Sequence, residues 1–359
     1  MRTVVRVALP VLAIVSVQAS AEVAPYRVDW LGQNFYPMAV NDRGRVIGLD
    51  ILGAGYGPAL TWEAGRISNL GEGQGNDINN NGVAVLGVPI AGQGQPGAVV
   101  VAPDGTRTDV GLPQGWGGDF RHEFSINDAG QVVGMQKLPI GSDGRAFLWD
   151  GGRVTYLDLG FPTQLSSAHA INNAGQVVGW WSDGVHAGGF LWKDGTTTVL
   201  PAQGVSINNR GQVLLVGGEV WKDGAVTAPV PALTLLDLSD PNMGSSVQAR
   251  EINDAGQVVG WSEEMYIIDE ESGHGLIQRG VLWDEDGGVV DLNAVMGLVP
   301  RSGMQFPLAE PLDVNNFGQI VGFGPQGGWM LTPVPEPASA AWVVVAFCWC
   351  FGGRRRGRV

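Results

Sequence analysis

The chain has 359 residues, among them 56 Gly, 21 Pro and 13 Trp. Gly and Pro interrupt helices, so a helix-rich architecture is excluded, while an apolar fraction of 44% argues against disorder. The 21 Lys and Arg stand against 35 Asp and Glu, and the net charge of -14 argues against a nucleic-acid partner, which needs clustered basic residues.

Residues 1–21 read as a secretory signal. Arg2 and Arg6 give the positive start, Val7–Val17 the apolar stretch, and Ala19-Ser20-Ala21 a small-x-small site. Ala19 and Ala21 are thus the signal-peptidase residues, with cleavage before Glu22. A buried first strand or helix is the alternative.

Residues 22–333 carry an internal repeat, the mark of a propeller or a solenoid. A nine-residue phrase appears as Val40–Gly48 and Ile126–Gly134, with near-identical forms beginning at Ile171, Ile252 and Val314. Weaker forms begin at Ile78 and Ile207. The leading asparagines are Asn41, Asn79, Asn127, Asn172, Asn208, Asn253 and Asn315, spaced by 38, 48, 45, 36, 45 and 62 residues. Asn/Asp followed by Gly predicts a tight hairpin with Gly at positive φ, and the phrase's last Gly predicts close backbone approach.

Each unit continues with an apolar strand ending in Trp, as at Leu60-Thr61-Trp62, Phe147-Leu148-Trp149, Phe190-Leu191-Trp192, Val220-Trp221 and Leu282-Trp283. A fourth short strand follows, at Ser68–Gly71, Leu157–Gly160 and Val290–Leu292. Four short antiparallel strands per ~45 residues is the content of a propeller blade. The last unit lacks a fourth strand, whereas Tyr26–Gly32 is a strand without a unit. Joining the two closes a ring and removes both sheet edges. The expected fold is therefore an all-β propeller of seven four-stranded blades closed by the N-terminal strand. A stacked solenoid, or a ring of six or eight blades, is the alternative. The repeat resembles the HAF-type extracellular repeat family over roughly residues 26–331, through its Asn-Asp/Asn-x-Gly-Gln-Val-Val-Gly phrase. The naming triplet is imperfect here, because Arg145-Ala146-Phe147 lacks the His and Gly188-Gly189 separates His186-Ala187 from Phe190.

Residues 334–359 form a separate tail: Val334-Pro335-Glu336-Pro337, an apolar run Ala338–Phe351, and a basic cluster of Arg354, Arg355, Arg356 and Arg358. This order closely resembles the PEP-CTERM sorting signal of Gram-negative bacteria. The resemblance implies a membrane exosortase as partner, transient anchoring through the tail, cleavage near Pro335–Pro337, and delivery to the cell surface or extracellular matrix. A plain C-terminal anchor is the alternative. Removing six arginines with the two ends leaves 15 of 21 basic residues, and removing Glu336 leaves 34 of 35 acidic ones. The remaining domain then carries -19, and both cysteines, Cys348 and Cys350, leave with the tail. No disulfide or thiolate chemistry is then expected.

Several groups bear on chemistry. The seven leading asparagines are read as holding their own turns, with a sugar- or ion-binding ring as the alternative. Asp119, His122 and Glu123 can support acid–base work, but no matching nucleophile accompanies them, and a solvated loop is the preferred reading. The acidic runs Ser262–Glu271 and Asp284–Gly287 are weighed as calcium sites and read as charged surface, so no cofactor is expected. Trp180, Trp181 and Trp261 are read as core packing, with sugar stacking as the alternative. The functional expectation is a non-enzymatic structural or binding module of a polysaccharide-rich matrix. The alternative is a hydrolase or lyase acting on extracellular polysaccharide, which should gather a carboxylate pair at the channel mouth.

Overall fold

A computed structural model describes residues 26–51, 57–90, 95–111, 124–137, 144–233, 245–269, 273–298 and 309–334. The signal segment 1–21, residues 335–359 and the trio Asp119, His122 and Glu123 lie outside the described residues.

Every phrase folds into the hairpin that its composition calls for. Its first Gly lies at φ between +71° and +81° in all seven copies, from Gly175 to Gly130. The Gly130 N–H donates to the Asn127 carbonyl at 2.9 Å, and the Asn127 N–H donates to Gln131 at 3.1 Å, closing the turn. The innermost strands that enter these turns are Phe35–Val40, Gln74–Ile78, Phe124–Ile126, Leu165–Ile171, Gly204–Ile207, Ser245–Ile252 and Glu310–Val314. Each opens an antiparallel meander.

The chain forms a β-propeller. Its ring closes as expected, with Tyr26–Gly32 pairing antiparallel to Gly327–Pro333, from Tyr26 opposite Pro333 to Gly32 opposite Gly328. The expectation of seven separate blades needs correction. Among the described residues five four-stranded sheets stand alone, and the remaining strands form one eight-stranded sheet. That sheet consists of two antiparallel meanders, each built on one phrase, joined by a single parallel bridge between Gly144 and Leu165. The Ser166 hydroxyl accepts the Ala146 N–H at 3.0 Å beside that bridge, so the third and fourth units are laced together.

Apolar clusters fill the spaces between neighbouring units. Ile47 and Ala59 of the first unit pack with Ile78 and Leu86 of the second. At the seam, Val321 and Met330 of the last sheet pack with Phe35, Val46 and Trp62 of the first. The strand-ending tryptophans Trp62, Trp149, Trp192, Trp221 and Trp283 are all buried in these clusters. Trp180 and Trp181 are half-buried, and Trp181 meets Phe161 edge-on at 4.8 Å. Two local expectations change. The strand before Leu157 ends at Tyr156, and Leu157 and Leu159 instead plug the core as an irregular segment. The acidic run from Ser262 to Asp269 is not a surface loop. It belongs to the 12-residue strand Val258–Asp269, paired with Gly273–Trp283, and buries Ser262 and Glu264. Glu270 and Glu271 lie outside the described residues.

Candidate functional site

The seven inner strands surround a cavity of about 500 Å³ on the channel axis. Its mouth is made by the repeated turns. Each leading Asn holds its own turn by accepting backbone N–H groups, as Asn172 Oδ1 does from Ala174 and Gln176 at 3.1 and 3.0 Å. Each also reaches its neighbour. Asn41 Nδ2 donates to the Asn79 carbonyl, Asn79 to Asn127, Asn127 to Asn172, and Asn172 to Asn208, at 2.9 to 3.1 Å. Asn208 donates to Asn253, Asn253 to Asn315, and Asn315 back to Asn41, at 2.8 to 3.0 Å. The result is a closed ring.

The next residue of each turn builds a second ring. Backbone N–H groups of Asp42, Asn80, Asp128, Asn173, Asn209, Asp254 and Asn316 each donate to the side-chain oxygen of the following member, and Asn316 closes onto Asp42. No two aspartates are adjacent in this ring. Intervening amides donate hydrogen bonds to them, as Asn80 Nδ2 does to Asp42 at 2.9 Å and to Asp128 at 3.2 Å. Both rings spend their polar atoms on the scaffold, which leaves them little to offer a ligand.

Two residues before each leading Asn stand Ala39, Asp77, Ser125, Ala170, Ser206, Glu251 and Asp313, of which all but the buried Ser206 line the cavity. The three carboxylates bridge neighbouring units. Asp313 Oδ2 accepts the Val40 N–H at 2.6 Å across the closing seam. Asp77 Oδ2 accepts from the Ile126 N–H at 2.9 Å and the Ser125 hydroxyl at 3.0 Å. Glu251 Oε1 accepts from the Ser206 hydroxyl and from the Ile252 N–H at 3.2 Å. Each is half-buried, facing the channel and otherwise enclosed by protein. Burial, with the charge of Asp313 added, pushes Glu251 up to about 8. Burial, with the charges of Asp77 and Asp42 added, pushes Asp313 up to about 7. Asp77 is also raised by burial. Glu251 and Asp313 can therefore hold or release protons near neutral pH.

These shifts carry a stability prediction. A carboxylate whose folded pKa is raised contributes stability below its unfolded pKa and loses it as pH rises through the folded value. For Glu251 that window runs from 4.5 to about 8, and for Asp313 from 3.8 to about 7. The melting temperature should therefore fall as pH is raised through this range. Glu251→Gln, neutral throughout and of similar shape, should reduce that fall and stabilise the chain by about 1–2 kcal/mol at the alkaline end. Thermal melts across pH test this, and an unchanged slope in the variant would exclude Glu251 as its source.

Two other side chains line the cavity. His169 Nδ1 donates to the Gly204 carbonyl at 3.0 Å, and burial holds its imidazole below the usual range. Arg250 lies over the Trp261 ring at 4.7 Å and within 3.7 Å of Glu310. Asp284–Gly287 forms a hairpin turn, where Glu285 pairs with Arg210 at 2.8 Å and is lowered chiefly by that hydrogen bond. Among the described residues no group of three or more His, Cys, Asp or Glu is placed to hold a metal ion. Val334 is exposed directly after the strand Gly327–Pro333. Its partners in the motif, Pro335, Glu336 and Pro337, lie outside the described residues, as do Ala19, Ala21 and the tail arginines.

Sequence reasoning missed Asp77, Glu251 and Asp313. Their one local signal is shared position, two residues ahead of the repeated Asn, visible only when the seven phrases are laid over one another.

Fold and cavity together define a β-propeller with an acidic channel and an asparagine-ringed mouth. No family model and no curated protein matches the chain. Several solved structures resemble it at low identity. YCF48 bound to D1 peptide is 13% identical, with 91% of this chain and 100% of that one covered and a TM-score of 0.48. The β-propeller domain of the Trilobed protease from Pyrococcus furiosus is 10% identical, covering 80% and 90%, with a TM-score of 0.46. A gluconolactonase from Xanthomonas campestris is 11% identical, covering 86% and 89%, with a TM-score of 0.39.

Proposed function

We propose that the chain is a secreted, surface-sorted β-propeller serving as a non-enzymatic binding or structural module in the extracellular or biofilm matrix of a Gram-negative bacterium. The HAF-type phrase and the PEP-CTERM-like tail support this setting. In this reading a signal peptidase cuts after Ala21, and the tail anchors the chain transiently, with Arg354, Arg355, Arg356 and Arg358 on the cytoplasmic side. An exosortase-type enzyme then cuts at Val334–Pro337. Extracellular polysaccharide is the partner.

The observation that carries the binding role is the polar cavity, in which acceptors remain unused while the surrounding turns are saturated. Both hydrogen bonds to Glu251 fall on Oε1, and no described group donates to Oε2 or to His169 Nε2. No serine hydroxyl hydrogen-bonds to a histidine among the described residues, so a Ser–His nucleophile pair finds no support there. Mass spectrometry of the surface form should find the residues beyond Pro337 missing, and an intact tail would overturn the sorting route. Binding of the chain to a glycan array tests the partner class, and silence across all glycans would remove the polysaccharide reading.

A second reading, an enzyme acting on extracellular polysaccharide, takes support from Glu251 and Asp313, whose raised pKa values suit acid–base work. Depolymerisation of a matrix polysaccharide that Glu251→Gln abolishes would favour it over the module.

A further inference from the structure

The carboxylates of the channel are unevenly distributed around its circumference. Glu251, Asp313 and Asp77 come from the sixth, seventh and second units, and the first unit places only Ala39 between Asp313 and Asp77. The facing units supply Ser125, Ala170 and Ser206. One wall is therefore acidic, with a gap at Ala39, while the opposite wall carries no carboxylate at this level and adds His169 and Gln203. The charges on Asp313 and Asp77 both act against Glu251, and among the described residues that line the cavity Arg250 is the one permanent cation. Arg250 does not serve freely as a counter-ion, because Trp261 and Glu310 engage it.

His169 gives an independent indication of the same chemistry. Its Nδ1–H is spent on the Gly204 carbonyl, so Nε2 carries the lone pair. Burial favours the neutral ring. The ring lines the cavity, with Gln203 Nε2 a further 3.5 Å neighbour of Nδ1, and no described group donates to Nε2. Glu251 Oε2 becomes a second such acceptor when the carboxyl ionises. Among the described residues no three of these groups converge on one point as metal ligands would, whereas an organic ammonium needs only one carboxylate as direct partner and gains from the field of the others.

We propose that the channel binds a primary ammonium group, carried by an amino sugar or a linear polyamine, with Glu251, Asp313 and Asp77 supplying the countercharge and His169 Nε2 a neutral acceptor. An ammonium brings three N–H donors and one positive charge, and its entry favours ionisation of carboxyls that burial and mutual repulsion hold protonated near neutral pH. This proposal rests on the channel being the binding site of the module described above.

Calorimetric titration of the full chain in mild detergent tests it, with glucosamine, N-acetylglucosamine and spermidine as probes at neutral pH. Glucosamine should bind at least about tenfold more tightly than N-acetylglucosamine, since acetylation removes the charge, and a 1.4 kcal/mol difference in charge pairing is already tenfold. Spermidine binding in addition assigns a general amine site, whereas binding of glucosamine without spermidine assigns an amino-sugar site. Glu251→Gln and Asp77→Asn should each weaken the amine probes about tenfold while the melting profile stays cooperative. Equal affinity for glucosamine and its acetylated form, or no binding by either amine, would overturn the proposal. Neutral oligosaccharides that bind while both amines fail would overturn it yet leave the polysaccharide-binding reading standing. If neutral oligosaccharides and amines both fail, the two readings fall together.

Discussion

Deleting residues 22–32 should open the propeller and lower its melting temperature by about 10 °C or more, an effect on the order of 5 kcal/mol. The deletion removes the whole strand Tyr26–Gly32 and leaves Gly327–Pro333 as an unpaired edge. It also removes Leu31, which is 2% exposed and packs at the seam between the last and first units. Burial of that one side chain is worth about 2 kcal/mol, and the cross-strand pairs supply the rest. A strand edge exposed in this way recruits other chains. Size-exclusion chromatography of the deleted chain should therefore show association, and a synthetic peptide spanning 22–32 should restore the monomer. A deleted chain that melts at the original temperature as a monomer would show that the ring does not depend on this strand.

Gly260→Ala should cost about 3 kcal/mol or more, although it adds a single methyl group. The phrase's last Gly sits opposite a bulge in the inner strand, where the register shifts between Ala249 and Glu251. A Cβ at Gly260 would stand 2.1 Å from the Gln248 carbonyl oxygen, and backbone cannot yield as a side chain can. The same approach recurs at Gly48 with Tyr36, at Gly179 with Ser167 and at Gly322 with Glu310. The second and fifth units solve the same crowding in reverse. There Leu86 and Leu215 occupy the phrase position, and Gly75 and Gly204 stand opposite them. Chemical denaturation of Gly260→Ala measures the cost, and a loss below about 1 kcal/mol would mean that the bulge relaxes freely.

The bulge matters for the site because it sets the level of the channel residue. In the sixth unit it falls between Ala249 and Glu251, and in the last between Pro311 and Asp313, so it delivers each carboxylate to the lumen just before the Asn turn. The phrase was legible because its physics is local. Asn accepts backbone N–H groups two and four residues ahead, and Gly supplies the positive φ, so every hairpin is encoded within nine residues. Ring closure was also legible, from a strand without a unit at one end and a unit without a strand at the other. The linkage of the third and fourth units was not. Bridging Gly144 to Leu165 requires two sheets to drift together on one face, and no residue pattern announces that contact.

The sequence by itself determined the all-β character, the seven repeated turns and the strand that closes the ring, since each depends on residues near one another in the chain. Only the tertiary structure decided what the turns do collectively. Asn315 and Asn41 are 274 residues apart, yet the amide of one caps the carbonyl of the other. The acidic wall has the same origin. Asp77, Glu251 and Asp313 are isolated carboxylates in their own strands, and they acquire shared burial and mutual repulsion only when the ring brings three distant units around one axis. Their charge is written in the chain, but its environment is created by closure.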